Sequence, residues 1–143
     1  MNGERSTVNS EQIISKVLSK HPHRNLEAWK HSMDLVEDIY SITKAFPKEE
    51  TYGLSSQMRR AAVSVPSNLA EGAAAMTNKQ FISFLGLSLG SLSELDTQTE
   101  IAYRLQYLQK ETYTSINDQI DKCKSLVFGL QRSVIKKISN TKR

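Results

Sequence analysis

A chain of 143 residues with 38% hydrophobic and 24% charged residues, carrying a formal net charge of +4, is sized for one domain and too apolar to be a disordered chain. No apolar run approaches the ~18–20 residues needed to cross a bilayer, and the opening MNGERSTVNS lacks the apolar stretch of a secretory signal, so a cytoplasmic protein without membrane contact is expected. The single cysteine, Cys123, excludes an intramolecular disulfide and a thiolate metal cluster, and its place in an apolar stripe marks it as a buried, inert thiol.

Three prolines and six glycines punctuate the chain, and between them apolar residues recur at steps of three and four, the period of a helix. Residues 1–25 read as an appendage. A polar start leads to EQIISKVLSK, with Ile13, Ile14, Val17 and Leu18 on one face of a short amphipathic helix, and the chain then breaks at His21-Pro22-His23. That apolar face suits docking on its own bundle, and also on a neighbouring subunit or a partner.

The first long helix is expected over residues 26–46, stopping at Pro47. Trp29, Met33, Val36 and Tyr40 form one stripe, and Leu35, Ile39, Ile42 and Phe46 a second beside it. The combined arc is wider than a helix with one buried face requires, which implies contact with a second surface. After PKEETYG, a second helix over residues 54–71 turns Leu54, Met58, Ala61, Ala62, Val65 and Leu69 inward; Pro66 falls within it, and because the apolar spacing stays in phase a kink is expected rather than a break.

Thr77-Asn78-Lys79-Gln80 has the form of a capping box and opens a third helix that runs to about residue 106. It carries Phe81, Phe84, Leu85, Leu92, Leu95, Ala102 and Leu105, while Gly86, Gly90 and Ser91 imply close approach of another helix backbone. The last helix, residues 114–138, repeats Ile116, Ile120, Cys123, Val127, Leu130 and Val134 as a near-heptad seam. Four helices on short connectors favour an all-α, antiparallel up-down-up-down four-helix bundle over residues 26–138, with a basic tail at 139–143.

No phosphate loop, nucleophile-base pair or dinucleotide fingerprint is present, and His21, His23 and His31 form no Glu-x-x-His pair. No metal or cofactor is therefore expected. Glu71 and Glu94 are the inward-leaning carboxylates; acid-base work is one reading of them, and a structural role, with Glu71 paired to Arg59 or Arg60 or capping amides near the kink, is the favoured one. The bundle topology also gathers Arg24, Lys30, Lys79, Arg132, Lys136 and Lys137 at one pole, followed by Lys142 and Arg143, with Lys16 and Lys20 nearby and chiefly Glu27 and Glu71 in opposition. Such a pole suits a phosphate backbone, and equally suits the simpler role of complementing helix dipoles. Trp29, Phe81 and Phe84 sit at core-like positions and are poor base-stacking candidates, so binding would be electrostatic.

GLSSQMRRAAVSVPSNLAEG, residues 53–72, resembles the signature of the four-helix-bundle proteins named after the 23S rRNA intervening sequence. Arg59, Arg60, Ala61, Ser64, Pro66, Asn68, Ala70, Glu71 and Gly72 fall on its Arg-Arg-Ala-x-x-Ser-hydrophobic-Pro-x-Asn-hydrophobic-Ala-Glu-Gly core. Phe46-Pro47, the segment 81–85 and Gly90-Ser91-Leu92-Ser93-Glu94-Leu95 extend the resemblance over roughly residues 26–137. It implies a ring-like homopentamer, a bacterial cytoplasmic setting and no enzymatic activity. One related branch, the accessory protein of diversity-generating retroelements, implies binding of nucleic acid and a reverse transcriptase. Arg59, Arg60, Ser64, Asn68, Glu71 and Glu94 are expected to form a polar network at the kink or a subunit boundary.

Three functions follow for comparison. The leading one is an oligomeric, non-enzymatic accessory protein that binds RNA or DNA. The second is a protein-interaction scaffold recruiting an RNA-processing protein or reverse transcriptase. The third is an enzyme using Glu71 and Glu94.

Overall fold

The computed structural model describes residues 20–141. Lys142 and Arg143 of the expected basic pole lie outside them, as does the apolar face of Ile13, Ile14, Val17 and Leu18. A short 3-10 turn, Pro22–Asn25, precedes four α-helices: α1 Glu27–Thr43, α2 Leu54–Ala73, α3 Asn78–Arg104 and α4 Lys110–Thr141. A second 3-10 turn, Lys48–Glu50, lies between α1 and α2. Each helix packs on its neighbours in the cyclic order α1, α2, α3, α4 and back to α1, giving the expected four-helix bundle.

The core follows the apolar spacing. Leu35 and Ile39 of α1, Met58, Val65 and Leu69 of α2, Leu85, Leu92 and Leu95 of α3, and Ile120, Cys123 and Val127 of α4 are all buried. Their steps of three and four place them on one face of each helix, and burial of each large side chain contributes roughly 1.5–3 kcal/mol. The stripe of Trp29, Met33, Val36 and Tyr40 on α1 departs from this: Trp29 and Val36 are half-buried, and Met33 and Tyr40 are 37% and 40% exposed. The wide arc of α1 thus has an inner stripe in the core and an outer one reaching the surface.

α1 ends earlier than the sequence indicates, at Thr43, whose hydroxyl donates back to the Ile39 carbonyl at 2.7 Å. Phe46 is still buried, because the turn after the helix carries it back onto Tyr107, with the ring centroids 5.2 Å apart. α4 begins one turn earlier than expected, at Lys110, and extends to Thr141.

Pro66 does not divide α2. The ring removes one backbone donor and crowds the preceding turn, and polar side chains support the carbonyls there. Ser67 Oγ donates to the Val63 carbonyl at 2.8 Å, Asn68 Nδ2 to that of Ser64 at 2.9 Å, and Ser88 Oγ of α3 to that of Val65 at 2.9 Å. Ser67 and Asn68 of the 53–72 segment therefore have a local physical role.

The capping box opens α3 as expected: Gln80 N–H donates to Thr77 Oγ1 at 3.1 Å, and Thr77 N–H to Gln80 Oε1 at 3.3 Å. At its other end Tyr107 N–H reaches the Ala102 carbonyl and Gln106 N–H that of Tyr103, both at 2.9 Å. This Schellman arrangement needs a left-handed residue, and Gln106, at φ 66°, supplies it where glycine is usual.

Candidate nucleic-acid interface and the signature face

Antiparallel order brings the start of α1, the start of α3 and the end of α4 to one end of the bundle. Lys30 and Lys79 lie in the first turns of α1 and α3, and Arg132, Lys136 and Lys137 lie on the exposed surface towards the end of α4. Some of the expected cations are engaged locally. Lys30 pairs with Glu27 at 3.2 Å, and the Arg24 guanidinium lies 6.0 Å from the Trp29 ring centroid. Glu27 is thereby partly neutralised, leaving Glu71, exposed in the last turns of α2, as the other acid of this end. Partial burial, followed by the charges of Arg24 and His21, holds His23 below its ordinary value.

Acidic groups gather elsewhere. His31, Asp34, Glu37 and Asp38 of α1 and Asp118, Gln119 and Lys122 of α4 line a groove of about 520 Å³ along the α1–α4 edge. No group of three or more His, Cys, Asp or Glu side chains among the described residues is placed to hold a metal ion. Cys123 lies beneath this edge at 1% exposure, and burial first, with the Asp34 charge second, pushes its thiol up to about 11.

The six signature residues do not form a single network. Arg59 Nε donates to Thr43 Oγ1 at 2.8 Å, and its guanidinium stands 4.6 Å from the Tyr40 ring centroid, so it ties α2 to α1. Asn68 Nδ2 donates to Ser64 Oγ at 3.0 Å, and Ser91 Oγ to Ser64 Oγ at 2.9 Å, tying α2 to α3. Glu94 accepts from Gln98 Nε2 at 3.1 Å on its own helix. Glu71 and Glu94 are exposed rather than inward, because each lies one position off the buried α2–α3 seam. Glu71 pairs with neither Arg59 nor Arg60.

Arg60 is exposed between two depressions. One, of about 400 Å³ between α2 and α3, is lined by Gln57, Arg60, Ala61, Ser64, Ser91 and Glu94. The other, of about 600 Å³ between α1 and α2, is lined by Tyr40, Thr51, Tyr52, Ser56, Arg59, Arg60, Val63 and Ser64. Nothing in the residue pattern points to this second cleft, since Tyr40 occupies an apolar stripe and Tyr52 a connector.

Gly72 and the α3 glycines serve different purposes. A Cβ on Gly72 would lie 2.8 Å from Phe81 Cδ1 and 2.9 Å from Phe84 Cβ, so glycine here permits α2 and α3 to meet. A Cβ on Gly86 or Gly90 meets nothing within 4 Å. The expected close helix approach at these two positions is absent among the described residues, because they face outward with Leu87, itself 56% exposed.

The fold and the motif-bearing α2 define an antiparallel four-helix-bundle protein in which the segment 53–72 joins three helices. The chain belongs to the 23S rRNA-intervening sequence protein family, whose model matches residues 24–129. It is similar in fold to a protein of unknown function from the S23 ribosomal protein family of Bacteroides thetaiotaomicron, with a TM-score of 0.69 at 24% identity, over 73% of this chain and 95% of that one. A comparison with curated proteins finds no match. No helix among the described residues is long and apolar enough to cross a membrane.

Proposed function

We propose that this chain is a non-catalytic, self-associating accessory protein that binds RNA or DNA through the cationic end of its bundle. The supporting observation is the separation of charge: Lys79, Arg132, Lys136 and Lys137 lie towards one end, while Asp34, Glu37, Asp38 and Asp118 line the α1–α4 edge. A phosphate backbone meets a favourable field at the end and an unfavourable one along that edge. Recognition is by charge and carries little sequence preference. The setting proposed is a bacterial cytoplasmic ribonucleoprotein or reverse-transcriptase complex, with the protein as a homopentamer.

Fluorescence anisotropy against duplex DNA and structured RNA at two salt concentrations tests the proposal. Binding should fall with salt, and the double substitution Lys136→Glu/Lys137→Glu should weaken it and reduce the slope by about 0.9 per lost duplex phosphate contact. Unchanged binding in that variant rejects the cationic end as the interface.

A second reading, a protein-interaction scaffold, is favoured by the exposed seam of Gly86, Leu87 and Gly90 on α3. Two glycines inside a helix cost roughly 0.5–1 kcal/mol each relative to alanine, and a helix from a second molecule would account for them. Absence of nucleic-acid binding together with a defined oligomer in solution selects this reading.

A further inference from the structure

We propose that the cleft between α1 and α2 holds an unpaired base and its adjoining phosphate from a single nucleic-acid strand. It lies at the opposite end of the bundle from Lys79 and Lys136, and the inference rests on the nucleic-acid reading above.

The lining supplies the chemistry. Tyr52 is 97% exposed and presents open ring surface to the cleft at little desolvation cost, beside Tyr40, 40% exposed, whose ring carries the Arg59 guanidinium 4.6 Å from its centroid. Base stacking on an aromatic ring is available only to unpaired bases, because those in a duplex are already stacked on one another. Arg59 is pre-oriented: Thr43 Oγ1 holds its Nε, and its Nη2 lies 3.4 Å from the Tyr40 carbonyl. Arg60, beside it, makes no hydrogen bond or ion pair among the described residues, and its guanidinium is available to a phosphate. Thr51 and Ser56 contribute hydroxyls able to donate or accept, Ser64, which already accepts from Asn68 and Ser91, contributes a donor, and no carboxylate is among the lining residues. The volume of about 600 Å³ is in the range of small-ligand sites. The neighbouring α2–α3 groove shares Arg60 and Ser64 but adds Glu94, whose charge opposes a phosphate.

The test uses the full chain with a short oligouridylate, a duplex and inorganic phosphate as probes. Tyr52→Ser should weaken single-strand binding by roughly 5- to 100-fold, as expected for loss of a base–aromatic stack, while duplex affinity is unchanged. Arg60→Gln should lower the single-strand salt slope by about 0.7, the share of one phosphate contact. Both side chains are exposed, so folding is preserved.

Unchanged single-strand affinity in Tyr52→Ser overturns the cleft, and so does an equal loss on duplex. If that variant instead lowers the solution mass with single-strand affinity intact, a second copy covers the cleft and the proposal fails. Competition by phosphate as effective as that by the oligonucleotide reduces the cleft to a simple anion site and overturns base recognition. Should the wild-type chain bind neither strand nor duplex, the nucleic-acid reading falls as well. Duplex binding lost only in Lys136→Glu/Lys137→Glu, with Tyr52→Ser silent, leaves that reading standing and rejects the cleft alone.

Discussion

Arg59 donates from Nε to Thr43 Oγ1 across 2.8 Å while the Thr43 hydroxyl donates to the Ile39 carbonyl, so one threonine links the last turn of α1 to the side of α2. The guanidinium also stacks near Tyr40. The bond is charge-assisted and half-buried, and Arg59→Met, which keeps the aliphatic stem, should lower stability by about 2 kcal/mol in urea unfolding. Arg59→Lys recovers part of this, because a lysine cannot span both partners. An unchanged unfolding midpoint in Arg59→Met would remove the link from the account of the fold.

Gly72 and Gly86 should respond to alanine in opposite directions. At Gly72 the new Cβ meets Phe81 and the Phe84 Cβ, the latter fixed close to its backbone, and overpacking of this kind costs about 1–3 kcal/mol. At Gly86 the space is open and the gain in helix preference should stabilise the monomer by about 0.5–1 kcal/mol. Thermal unfolding of both variants, with solution mass measured alongside, checks the pair. A fall in mass for Gly86→Ala would place a neighbouring copy on the α3 seam.

The Glu100–Tyr113 pair should make stability depend on pH at both extremes. The Tyr113 hydroxyl, and after it Arg104, hold the Glu100 carboxyl below its ordinary value near 4.5, so its contribution is present above that value and is lost as pH falls through the lowered one. The same bond raises Tyr113 above its ordinary 10.0, and that contribution is present below pH 10 and lost as pH rises further. Tyr107, bonded to Glu50 at 2.9 Å, is raised likewise and adds to the alkaline loss. Glu100→Gln should flatten the acid limb and reduce the alkaline one in urea midpoints measured across pH; an unaltered profile would show that the pair is not coupled to folding.

The sequence determined the helices and their inner faces. Leu54, Met58, Ala61, Ala62, Val65 and Leu69 recur at helical spacing and are all buried, and Thr77 with Gln80 set the start of α3 through bonds local to one turn. Such features are legible because period and capping depend on residues three or four positions apart. The signature segment was legible as a motif, but its division of labour was not. That Arg59 turns to α1, Ser64 to α3 and Glu71 to solvent depends on which helix lies across each groove. Likewise, Tyr40 has the apolar spacing of a core residue and reaches the surface only because neighbouring helices leave the outer stripe of α1 uncovered. Tyr52 and Arg60 meet it in one cleft through the path of the connector. Contacts between residues far apart in the chain are set by the packing of whole helices, and that packing alone decided which side chains of this protein face one another.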